Sequence, residues 1–106
     1  MKHISVAEKS LLVGDEAADT LIEYAALLGK LNSADSVQLN AVGIDGEEVT
    51  ASFLLNSGSV FVVQSTNSTL PEPDNDAVVA YMREKLDGYR TPDLEALSEG
   101  FAAGTD

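Results

Sequence analysis

The chain has no cysteine. That single absence excludes disulfides, thiolate nucleophiles, iron–sulfur clusters and cysteine zinc sites. Tryptophan is absent too, and three Tyr and three Phe provide no obvious stacking platform for bases. Positive charge is scarce: six Lys and Arg stand against 18 Asp and Glu, a formal net charge of −12. Binding to a nucleic-acid backbone or an anionic membrane surface needs basic clusters, and none exists here. No run of 18 apolar residues occurs, so no membrane-spanning segment is expected. Met1 to Ser5 lacks the apolar stretch of a signal peptide, which together with the missing cysteine makes the cytoplasm the expected compartment.

The 106 residues, 44% of them hydrophobic, suffice for one core. Acid is shared equally between the two halves of the chain, with no acidic tail, and reads as a solvated surface that keeps the protein soluble. A basic protein partner, a salt-rich cytoplasm or DNA mimicry are the rival readings of the same charge.

Residues 2–13 read as extended, with Ile4 and Val6 alternating against His3 and Ser5, and a bend or bulge at Glu8-Lys9-Ser10. A helix follows, with Asp15 as expected N-cap and Glu16 and Asp19 in its first turns. It carries two apolar stripes: Ala18, Leu21, Ile22, Ala25 and Leu28, then Thr20, Tyr24, Leu27 and Leu31. A helix apolar over more than half its circumference usually packs against more than one neighbour.

Residues 36–66 read as three strands. Only an odd loop keeps the apolar set Val37, Leu39, Ala41 on the same face as Val49, Ala51, Phe53, Leu55. A three-residue loop, Ile44-Asp45-Gly46, pairs Ala41 with Val49, Leu39 with Ala51 and Val37 with Phe53, with Gly46 at positive φ. The same argument applied to Asn56-Ser57-Gly58 pairs Phe53 with Phe61 and Ala51 with Val63, and asks for positive φ at Gly58. Asp74 reads as the cap of a helix over 75–87 ended by Gly88, with Val78, Tyr81, Met82 and Leu86 facing inward. Thr91-Pro92 suggests the start of a further short helix.

The expected fold is therefore α+β and two-layered, in β-α-β-β-β-α order. A mostly antiparallel four-stranded sheet has helices on one face, and the first strand lies parallel to a neighbour at one edge. A single domain is expected over residues 1–90, with a short helix and loose tail over 91–106.

No constellation calls for chemistry. His3 has no placing motif for a nucleophile beside it. The EF-hand pattern fails because the twelfth position counted from Asp74 is Lys85. Asp15, Asp19 and Glu23 read as a solvated helix face, and Gly43-Ile44-Asp45-Gly46 lacks the Lys-Ser/Thr of a phosphate loop. No catalytic residue, metal or cofactor is expected. What stands out is apolar surface left over once the core is filled. With helices on one face, Val42, Ile44, Leu54, Val60 and Val62 face outward, joined by Tyr24, Leu27 and Leu31 of the helix. From Leu31 to Met82 no Lys or Arg guards a strand edge. These features favour a non-enzymatic interaction protein that forms a homodimer. The alternatives are a small-molecule module or minor enzyme, with Tyr81, Ser65, Thr66 or Asn67 in a pocket between sheet and helices, and an acidic inhibitor of a basic or DNA-binding partner.

Overall fold

The structure is a computed structural model that describes residues 1–98, with side chains through Tyr89. It contains five strands and two helices: β1 (Lys2–Val6), β2 (Lys9–Val13), α1 (Asp15–Lys30), β3 (Asp35–Val42), β4 (Glu48–Leu55), β5 (Val62–Ser65) and α2 (Asp76–Ser98). All neighbouring strands are antiparallel, in the spatial order β4-β3-β2-β1-β5. The fold is α+β, in the expected order of elements, but the sheet has five strands rather than four.

The extra strand arises in the first segment. Residues 2–13 form a hairpin, not one bent strand, with Ile4 opposite Leu11 and Val6 opposite Lys9. Its two-residue turn is Ala7-Glu8, and Ala7 takes the left-handed conformation at φ 53°. Such turns usually carry Gly, Asn or Asp there, so the sequence gives no turn signal. The hairpin also removes the parallel pairing expected for the first strand. β1 lies inside the sheet, between β2 and β5.

The β3–β4 hairpin has the expected register: Val37 opposite Phe53, Leu39 opposite Ala51 and Ala41 opposite Val49. Gly43 N–H donates to the Glu47 carbonyl, leaving Ile44-Asp45-Gly46 as the tip, and Gly46 sits at φ +88°. The second expected turn does not form. Gly58 has no positive φ, and β5 pairs with β1, placing Val63 opposite Ile4 instead of Ala51. The cause is local. Ser59 Oγ accepts from Asn56 N–H and donates to the Leu54 carbonyl, while Asn56 Oδ1 accepts from Gly58 N–H. These side-chain bonds compete with a strand ladder and turn the chain away from β4. It crosses to the opposite edge, so β4 and β5 end up as the two outer strands.

Gly14, not Asp15, is the N-cap of α1, and Asp15 pairs with the N-terminal amine at 3.3 Å. Helix α2 runs without a break through Gly88 and Thr91-Pro92 to Ser98, where two helices were expected. The tail expected from Gly100 onward lies outside the described residues. The core lies between the helices and the inner sheet face. Its largest fully buried groups include Ile4, Val13, Leu21, Leu39, Leu55 and Met82.

Candidate functional site

Two regions gather side chains beyond ordinary core packing. The first joins α1, β3 and α2. Tyr24 and Tyr81 both donate their hydroxyls to Oδ2 of Asp35, the second at 2.6 Å, while Ser36 N–H donates to Oδ1 at 2.8 Å. The two rings meet edge to face with centroids 6.2 Å apart, and Lys85 Nζ lies 5.4 Å from the Tyr81 centroid. Burial opposes charge on Asp35, but the donors from Tyr24, Tyr81 and Ser36 outweigh it and hold the carboxyl below its usual range, with Lys85 adding to this. Burial, reinforced by the bond to Asp35, pushes the Tyr24 hydroxyl above the usual phenol range. A carboxylate saturated by three donors is a poor general base, and an ionised group that holds two tyrosines is a good staple between layers.

Asn75 does a similar job at the edge of β3 that β2 leaves unpaired. Strand β2 pairs with β3 only at Leu12–Val42 and then turns into α1 at Gly14. The next position on β3, Asn40, would otherwise lose its strand partner. The Asn75 amide replaces it: Oδ1 accepts from Asn40 N–H and Nδ2 donates to the Asn40 carbonyl, both at 2.8 Å. Asn75, not Asp74, is the N-cap of α2, its carbonyl accepting from Val79 N–H at 2.9 Å. Asp74, one residue earlier, still supports the helix start, its Oδ1 accepting from Asp76 N–H at 2.9 Å.

The second region is a groove of about 1010 Å³ along β4. One wall is β4; the other is the β1–β2 hairpin, with Ile4, Val6 and Leu11, and the crossing segment with Val60 and Phe61. Among the described residues, Lys9 is the one charged residue that lines it. Tyr81, Ser65, Thr66 and Asn67, expected to supply polar groups to a pocket, do not line it. The groove belongs to a sector with an unusual composition: from Val49 to Pro71 the sequence contains no charged residue. That stretch builds β4, the crossing segment and β5.

The residues expected at a contact surface divide accordingly. Leu54 is 68% and Val60 78% exposed, and Val62 and Ile44 are also exposed. Leu31 is exposed and Leu27 half-buried. Two expectations are corrected. Tyr24 is only 3% exposed, because α2 packs on the second stripe of α1. Val42 is 4% exposed; it is paired on both sides, with Leu12 of β2 and Glu48 of β4, and two residues along the strand Asn40 Nδ2 donates to the Asp74 carbonyl. Neither has surface to offer a partner. The Asp35 cluster was not foreseen. Its only sequence signal is two tyrosines at inward helical positions, which need a polar partner for their hydroxyls.

His3 lies inside the sheet, opposite Leu12 and Gln64. Among the described residues no three His, Asp or Glu side chains come together as a metal-holding group. No described helix is long and apolar enough to cross a membrane. Comparison with protein-family models, curated proteins and solved structures finds no match to this chain.

Proposed function

We propose that this chain is a small, acidic, non-enzymatic interaction protein of the cytoplasm that forms a homodimer through its uncharged sector. The observation that carries the reading is the exposure of Leu54, Val60 and Val62 within the charge-free stretch from Val49 to Pro71. Elsewhere the surface is strongly acidic and repels a second copy. An aliphatic side chain left in water forgoes roughly 1.5–3 kcal/mol that burial would return. A two-fold contact is the commonest way to recover it. Light scattering at micromolar concentration should give twice the 11.1 kDa of the chain. Replacing Val60 and Val62 together by Lys should return the mass to that of a monomer. A wild-type protein that is monomeric throughout this range is incompatible with the reading.

A further inference from the structure

Strand β4 is an edge of a particular kind. It is eight residues long and contains no Lys, Arg or Pro, the residues that usually block edge-to-edge pairing. The opposite edge, β5, has only four residues. The Gly43–Glu47 bond fixes which backbone groups of β4 face β3. By strand alternation these are the groups of Val49, Ala51, Phe53 and Leu55. Those of Glu48, Thr50, Ser52 and Leu54 point away from the sheet. Ser59 Oγ occupies the Leu54 carbonyl, which confirms the direction. Among the described residues none supplies a backbone partner to Thr50 or Ser52 at this edge.

We infer that the edge is completed by β4 of a second copy, paired antiparallel about a two-fold axis at Ala51. The inference rests on the homodimer reading and narrows its contact to β4 and the adjoining groove wall that carries Val60; Val62, on the opposite edge strand, lies outside it. The pairing register must keep outward-facing backbone groups opposite one another, which requires an even offset. With the axis at Ala51, Thr50 faces Ser52 of the second copy and the two exchange both backbone bonds, twice by symmetry. Glu48 then faces Leu54, so no carboxylate meets a carboxylate across the strands. Val49, Ala51 and Phe53 of the two copies share one face. They continue the apolar groove, whose wall on this side is β4 itself. The two sheets join into one of ten strands.

Charge opposes a second copy everywhere except along this strand and the uncharged sector around it. Two bodies of −12 repel, and the charge-free sector lets the sheets meet with their acids held apart. Screening that repulsion strengthens association, so the dimer fraction rises with salt, the reverse of an interface built on ion pairs.

The absence of native cysteine makes the register readable by cross-linking. In the non-hydrogen-bonded pair at the axis the two Ala51 Cα atoms lie roughly 4.5 Å apart, within disulfide reach. Under mild oxidation Ala51→Cys should convert almost wholly to a covalent dimer. Thr50→Cys alone should not, because its own copy lies diagonally across at roughly 7–8 Å. A mixture of Thr50→Cys and Ser52→Cys, both at exposed positions that spare the core, should give the mixed disulfide in preference to either homodimer. A dimer in light scattering that cross-links through Val60→Cys but not Ala51→Cys overturns this pairing while leaving self-association intact. A dimer that weakens as salt is added overturns it as well. A monomer at micromolar concentration removes both.

Discussion

Around Asp35 the bonds between side chains join residues far apart in the chain, with only the Ser36 N–H a near neighbour, whereas around Asn56 and Ser59 every bond is local. Asp35 takes donors from 11 and 46 residues away, and Asn75 reaches 35 residues back to Asn40. Arg83 of α2 adds an ion pair with Glu23 of α1 at 3.3 Å. Asn56 and Ser59 in the crossing segment, and Ser68 just beyond β5, bond within five residues of themselves. Thr66, bonded to the Met1 carbonyl, is the exception. Long-range bonds fix layers against one another. Short-range bonds only shape the chain, and here they shape it so that β4 keeps a free edge. Stability and association therefore reside in different parts of one small domain, and substitutions should separate them.

The largest loss is expected on the stapled side. Asp35→Ala removes the acceptor of two tyrosine hydroxyls, one of them on a ring that is nearly buried. Hydrogen bonds to a charged group contribute roughly 1.5–3 kcal/mol each when lost, less where water can replace the partner, as at the exposed Tyr81. A loss of about 2–3 kcal/mol in urea unfolding is expected, with the monomer–dimer equilibrium of the folded protein unchanged. Because the folded pKa of Asp35 is depressed, its contribution is present above the ordinary carboxylate range and disappears as pH falls through the folded value. Because that of Tyr24 is raised, its contribution is present below about pH 10 and is lost as pH rises further. Both pH-dependent losses should be smaller in Asp35→Ala. An unchanged pH profile would show that the cluster does not couple α1, β3 and α2.

The two regions also differ in how much of them could be read from sequence. The β3–β4 register follows from side-chain alternation, because only one loop parity keeps Val37, Leu39 and Ala41 on the face of Ala51 and Phe53. Gly46 then falls where the turn needs it. Alternation says nothing about which edge a later strand joins, and β5 fits against Ile4 as well as against Ala51. Asn56 and Ser59 decided that by local bonding. Gly88 and Pro92 are stop signals that α2 passes through, and a stop signal is a preference of about 1–3 kcal/mol that context can override. The partnership of Tyr24, Asp35 and Tyr81 has no sequence spacing at all. It exists only once α2 lies on the second stripe of α1.

The β1–β2 turn offers a gain in place of a loss. Ala7 holds a positive φ that costs an L-residue with a Cβ roughly 1–2 kcal/mol. Ala7→Gly removes that cost but gives back part of it as entropy of the unfolded chain. A net rise of about 0.5–1 kcal/mol in unfolding free energy is expected. The hairpin forms one wall of the groove but contributes nothing to the β4 edge. Its stabilisation should therefore leave dimerisation unaltered. A variant less stable than the parent would mean that the turn relaxes away from the left-handed conformation.

The smallest effect on stability is expected where the effect on association is greatest. Val60 and Val62 are exposed, and neither belongs to the buried core. Surface substitutions away from caps, cavities and networks usually change stability by no more than about 0.5 kcal/mol. Val60→Lys with Val62→Lys should stay within roughly twice that value when the unfolding of the monomeric variant is compared with that of wild type diluted to monomer. The comparison must be made at the monomer level, because a dimer draws extra apparent stability from mass action. Val62 pairs with Ser5 at the end of β5, so a lysine there keeps its backbone bonds and directs its charge to solvent. A collapse of the fold in this variant would place the two valines in the core of the single chain. The charge-free sector would then be holding the domain together, and the division between a stapled side and a binding side would fail.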